Sequence, residues 1–269
     1  MSPTPRLSTL LLALSGGLCL ALPATTTAQD SAELLDILVH AYPDHLDRHE
    51  GGVLIWKDGT RMPFDEGEQQ KSFETLLDRP SLRDQFYAPY PTGQAAAAPA
   101  VNIDPGRVRN QPFFARMYGD CRKGEVEGRL VDVIWLPQKW GKALKVTRVN
   151  GVDKKLAAVS AELDRLPASF DKYLYPSAGT FNCRSIAGTD RVSPHGLGIA
   201  IDIATAQSHY WHWVKADAAG NYPYRNAIPK EIVDIFERHG FIWGGRWYHY
   251  DTMHFEYRPE LIAQGRRAD

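Results

Sequence analysis

The run Ser193-Pro194-His195-Gly196-Leu197-Gly198-Ile199-Ala200-Ile201-Asp202-Ile203 constrains this chain more than any other stretch. From Ile199 the residues alternate with the period of a strand, placing Ile199, Ile201 and Ile203 on one face and Gly198, Ala200, Asp202 and Ala204 on the other. The isoleucine face reads as core. The opposite face carries small side chains and one carboxylate, which leaves room beside Asp202 for something bulky and charged. A carboxylate in so apolar a run loses hydration unless a cation, a metal or several donors compensate, because an unpaired buried ion is costly. His195 lies in the Pro-Gly turn just before the strand, placed to reach the same face, so His195 and Asp202 together make half of a zinc site.

The other half lies near the C-terminus, in Trp247-Tyr248-His249-Tyr250-Asp251-Thr252-Met253-His254-Phe255-Glu256-Tyr257. A strand beginning near Met253 presents His254 and Glu256 on one face, with Asp251 in a bend before it. Two histidines and one carboxylate leave a fourth tetrahedral position open for water, which is the arrangement of a catalytic zinc. Asp251 and Glu256 are both candidates for a general base, and Glu256 could instead orient the His254 imidazole. His209, His212 and His249 compete as ligands but lack this strand geometry.

The pattern Ser-x-His-x-x-Gly-x-Ala-x-Asp, filled by Ser193, His195, Gly198, Ala200 and Asp202, is followed by Asp-x-x-His-Phe-Glu from Asp251 to Glu256. Together they resemble the signature of peptidase family M15, the D-Ala-D-Ala carboxypeptidases and L-alanyl-D-glutamate endopeptidases. The resemblance covers Pro176 to Leu261. It implies the zinc fold shared with lysostaphin-type peptidases and the hedgehog signalling domain, and one zinc ion held by His195, Asp202 and His254. It selects Asp251 as general base, since the acid three residues before the last ligand has that role in the family, and leaves Ser193 and Glu256 to support the ligands. An arginine ahead of the first motif would stabilise the oxyanion; Arg184 is the best match by position, with Arg191 the rival.

The implied chemistry is amide hydrolysis in peptidoglycan stem peptides or cross-links. Water activated at the zinc attacks the carbonyl, Asp251 takes and returns the proton, and Arg184 offsets the oxyanion charge. Aspartate rather than glutamate at the base position leans toward the endopeptidase branch. The competing reading is a noncatalytic wall-binding module that keeps a structural metal, as hedgehog relatives do; a structural site needs neither Asp251 nor the arginine.

Met1 to Ala28 reads as a secretory signal, with Arg6 as the positive n-region, an apolar Leu10 to Leu22 and small residues at Thr26-Thr27-Ala28. The rival, a membrane anchor, has too short an apolar run and no basic downstream flank. A mature chain starting near Gln29 would be periplasmic or secreted, with no stable membrane association after cleavage. The formal net charge of −1 offers no polybasic surface for nucleic acid. Loss of Cys19 with the signal leaves Cys121 and Cys183, which in an exported chain are expected to pair. The alternative, Cys183 as a nucleophile, leaves Asp202 and the second histidine unexplained.

Elsewhere the patterns are structural. Asp30 or Ser31 can cap a helix carrying Leu34, Leu35, Leu38, Val39 and Tyr42 on one face and ending before Pro43. Asp58-Gly59 marks a hairpin, and Phe73, Leu76 and Leu77 suggest a helix broken near Pro80. Connecting segments at Pro91 to Pro99 and Asp104 to Gly106 divide an N-terminal helical and hairpin subdomain, residues 29–106, from a catalytic domain at 107–269 on which it packs. Leu130 to Leu136 and Ala143 to Val149 read as strands, and Val152 to Leu166 has helical spacing. Tyr210 to Trp213 is an aromatic cluster, Pro229 to His239 a helix stopped by Gly240, and Phe241 to Trp243 a strand. This order implies an α+β domain with one antiparallel sheet, helices on one side and the cleft on the other.

Overall fold

A helix α1, Thr26–Ala41, buries Leu35, Leu38 and the following Tyr42 against the rest of the chain. The computed structural model describes residues 26–67 and 71–267, so the expected signal segment up to residue 25 lies outside the described residues. The helix starts upstream of Asp30 and Ser31, which therefore do not cap it. Nothing between Thr26 and Ser31 is a glycine or proline, and an extra helical turn satisfies more backbone groups than a side-chain cap at either residue would. Gln29, the expected mature start, falls inside α1.

Strands β1 (Leu46–Glu50), β2 (Val53–Trp56) and β3 (Arg61–Pro63) form an antiparallel sheet, with the Asp58-Gly59 turn between the last two. After a short helix α2 (Phe73–Asp78) and a 3-10 turn (Arg83–Phe86) the chain runs through the Pro91 and Asp104 segments to α3 (Gln111–Tyr118). Asn110 caps α3 by accepting from the Phe113 amide at 2.9 Å. Then follow β4 (Leu130–Trp135) paired with β5 (Lys142–Thr147), α4 (Val152–Leu163) and a short α5 (Asp171–Leu174). The last part contains β6 (Ala200–Asp202), α6 (Lys230–Arg238), β7 (Phe241–Trp243), β8 (His254–Tyr257) and α7 (Pro259–Arg267). The fold is α+β.

The expected single sheet is a correction: among the described residues the strands form separate antiparallel sheets, β1-β2-β3, β4-β5 and β6-β8-β7. Residues 178–185 explain the break. They fill the outer edge of β6 through a lone bridge, with Asp202 N donating to Gly179 O at 2.9 Å, and touch β5 on their other side, with Phe181 N donating to Lys145 O at 3.3 Å. An irregular segment that bonds one residue at a time cannot continue a ladder.

The β6-β8-β7 sheet sorts its side chains by face. Asp202 pairs with His254, and Ala200 with Glu256, on one face; Ile201, Phe255 and Trp243 are in register on the other. Phe236 of α6 stacks on Phe255 with ring centroids 3.8 Å apart, so α6 closes the apolar face and leaves the polar one to the cleft. One continuous apolar cluster runs from Leu35 of α1 through Phe113, Trp135, Ile201 and Phe255 to Ile262 of α7.

Candidate metal centre and cleft

Ser193 caps the 3-10 turn Pro194–Leu197, its hydroxyl accepting from the His195 amide at 3.4 Å. Gly198 follows at φ +70°, and a Cβ there would meet Leu130 Cδ2 at 2.9 Å and Thr147 N at 3.0 Å. Only glycine allows the chain to turn this tightly from His195 into β6. Replacing Gly198 with alanine is expected to cost about 1–3 kcal/mol in unfolding free energy, read by denaturant titration; an unchanged midpoint would contradict this.

His195 Nδ1 lies 2.5 Å from the Thr180 carbonyl oxygen, which can only accept, so Nδ1 carries a proton and Nε2 offers a lone pair. His254 Nε2 likewise faces Glu256 Oε2 at 3.2 Å, leaving Nδ1 directed inward. His195 Nε2, His254 Nδ1 and Asp202 Oδ1 then form a triangle with sides of 3.2, 3.0 and 3.2 Å. Three acceptor atoms meet at one point, and a cation is what relieves their repulsion. Tetrahedral zinc with nitrogen ligands at 2.0–2.1 Å sets neighbouring ligands about 3.3 Å apart. The donor set therefore fits a zinc ion in both size and chemistry. Among the described residues this is the group of histidine, cysteine, aspartate and glutamate side chains that converges closely enough to hold one ion.

Burial works against ionised Asp202, yet hydrogen bonds from His195 and His254 outweigh it and hold the carboxyl well below the usual range. Burial also disfavours charged His254, but Asp202 and Glu256 raise it to about 10. Behind His254, Glu256 is fully enclosed, and Arg109 grips it with Nε at 3.1 Å and Nη2 at 2.7 Å. Arg258 Nη1 adds a third bond at 3.2 Å. Burial alone would push Glu256 up; Arg109, His254 and Arg258 together hold it far below the normal glutamate value.

Asp251 sits in the wall of the same cleft, its backbone fixed by N to Gly244 O at 3.0 Å and by its carbonyl accepting from His254 N at 3.2 Å. A Cβ on Gly244 would lie 2.5 Å from Asp251 O, so that position requires glycine for space. Asp251 Oδ1 is buried with no hydrogen-bond partner. Burial, reinforced by the charge of Asp202 but opposed by His254 and His195, pushes Asp251 up to about 6.

The remaining sequence candidates divide. Arg184 is exposed and lines the cleft, though in an irregular segment rather than on a strand. Arg191 turns away to Asp78 at 3.4 Å and the Leu77 carbonyl at 3.3 Å. Cys183 is bonded to Cys121, which removes it as a nucleophile and ties the Arg184 segment to the end of α3. His249 bonds Asp104 at 2.7 Å, and the His212 ring lies 3.7 Å from that of Trp211; neither joins the ligand triangle.

The D-alanyl-D-alanine carboxypeptidase family of M15 peptidases matches residues 187–257. This segment belongs to the M15 peptidases. Comparison with curated proteins and with solved structures gave no match. The matched segment holds His195, Asp202, Asp251, His254 and Glu256, and the match supports a peptidase. Arg184 and Thr180 stand upstream of the M15 segment, as do Arg107 and Arg109, while Arg258 follows it directly. Of these, sequence reasoning had named only Arg184. Glu256 and Arg258 share the period of two that placed His254 beside Glu256, so extending the strand face by one step would have found Arg258.

Proposed function

We propose that this chain is an exported zinc peptidase of the hedgehog and DD-peptidase type of fold, hydrolysing amide bonds of peptidoglycan stem peptides or cross-links. The observation that carries the reading is the triangle of His195, Asp202 and His254 sharing one cleft with a buried, unpartnered Asp251 oxygen. His195, Asp202 and His254 would hold the ion. Zinc bound there supplies a Lewis acid for the scissile carbonyl and makes water acidic near neutrality.

The rest is the work of this chain's own side chains. Asp251 Oδ1, with no donor of its own, accepts the water proton and later gives it to the departing amine. Arg184, free at the cleft rim, offsets negative charge on the carbonyl oxygen as it develops. Glu256 holds the His254 ring in one orientation. Export through the N-terminal segment agrees with a cell-wall substrate in the periplasm or outside the cell. Among the described residues no helix is long and apolar enough to cross a membrane.

Incubation with purified sacculi, followed by mass spectrometry of the soluble peptides, tests the reading. New amine and carboxyl ends should appear, vanish with a chelator and return with zinc. Binding to sacculi without any new ends would replace the enzyme by a noncatalytic wall-binding module.

A further inference from the structure

Among the arginines lining the cleft, Arg109 is consumed by Glu256, and Arg184 is assigned above to the oxyanion. Arg107 is left over, and its setting is unusual. Its guanidinium carbon lies 6.0 Å from the centre of the Trp211 ring and 5.8 Å from that of Trp247, so two indoles fix it. Its side chain is 18% exposed. Nη1 donates to the His249 carbonyl at 3.3 Å. The acid nearest to it, Asp104 at 3.6 Å, is beyond hydrogen-bond reach, and both Asp104 oxygens already accept from His249, through its amide at 2.9 Å and Nδ1 at 2.7 Å. Nε and Nη2 of Arg107 have no hydrogen-bond partner among the described residues. A planar guanidinium beside two indoles, with donors free along its edge, has the chemistry to take a bidentate carboxylate.

Its distance from the reaction centre is set by one ring. The centre of the Trp247 ring lies 5.6 Å from that of the His254 ring and 5.8 Å from the Arg107 guanidinium carbon. Extended peptide covers about 3.3–3.6 Å per residue, so a carboxylate on Arg107 belongs one or two residues from the bond at the metal centre.

Resting on the peptidase reading above, we infer that Arg107 is the specificity-determining residue that receives a free substrate carboxylate next to the scissile bond. Two carboxylates have the right chemistry: that of a terminal residue, and that of an acidic residue beside the cut. The site selects substrates that present one of these and disfavours their uncharged counterparts. Arg107 precedes the M15 segment, so the selection comes from outside the residues matched to that family.

The test uses the full mature chain and two peptide pairs. One pair ends in D-alanine as free acid or as amide; the other carries D-glutamate or D-glutamine beside the scissile bond. The wild-type enzyme should favour the carboxylate member of one pair by about 10- to 100-fold in kcat/KM, chiefly through KM, and the responding pair identifies the source. Arg107→Gln should erase that preference, and Arg107→Lys should restore part of it. Titration of the same peptides into chelator-treated protein, followed by tryptophan fluorescence, should give the same order of affinities. No preference in the wild type, or one that survives in Arg107→Gln, overturns the assignment. If the wild type cleaves none of the peptides, the peptidase reading has failed. The fluorescence titration then decides the Arg107 assignment by itself, for or against, according to whether an Arg107-dependent carboxylate preference is present.

Discussion

Asp251→Asn is expected to lower peptide hydrolysis by about 10²- to 10⁴-fold while leaving one zinc bound per chain. The amide has the size of the carboxylate, so the backbone bonds to Gly244 and His254 are kept and the ligand triangle does not move. What is lost is the acceptor. Asp251 must be deprotonated to take a proton, and burial raises it to about 6, so activity should be present above that value and disappear as pH falls through it. A dication nearby favours the charged form and shifts the limb downward. The kcat/KM profile of the wild type together with metal analysis of the variant checks this. Full activity in Asp251→Asn would assign the base elsewhere.

The second large effect is on stability. Arg258 is fully buried over the Phe114 ring, donating to Glu260 Oε1 at 2.5 Å, Glu256 Oε1 at 3.2 Å and the Gly106 carbonyl at 2.9 Å. Tyr42, just after α1, donates to Glu260 Oε2 at 2.5 Å, and Arg109 completes the set on Glu256. Arg258→Met keeps most of the volume but leaves enclosed Glu256 with Arg109 as its guanidinium partner and enclosed Glu260 with the Tyr42 hydroxyl in place of an ion pair. Removing one partner of a buried pair typically destabilises by about 3–5 kcal/mol, and urea unfolding should show a loss of that order. Glu256 would also hold His254 less firmly, so zinc affinity should fall by about 10- to 100-fold. A variant with unchanged unfolding midpoint and zinc affinity would mean that the network is dispensable.

The residues that could be read in advance are those whose role is written in local spacing. The alternation from Ile199 to Ile203 placed Asp202 opposite the core, and all three isoleucines are buried as that pattern requires. The same period set His254 and Glu256 on one face of β8. Arg109, by contrast, reaches Glu256 across 147 positions, and no periodicity connects them. Thr180 contributes only a carbonyl oxygen to His195, a group every residue possesses. The division of the strands into several sheets was equally illegible, because residues 178–185 bond through backbone atoms without strand-forming side chains. Arg107, next to the Asp104 to Gly106 segment, drew no reading from the sequence, because the two tryptophans beside it come from distant segments.

The counter-charges of the metal centre are borrowed from the flanks. Glu256 is neutralised by Arg109 and Arg258, Arg258 is steadied by Glu260 and the Gly106 carbonyl, and Glu260 is held by a tyrosine at the end of the first helix. The stretch bearing the proposed zinc ligands is therefore not a portable cassette. Transplanted alone, it would carry an enclosed anion with nothing to balance it, and variation at Tyr42, far along the chain from the reacting atoms, has a direct electrostatic route to them.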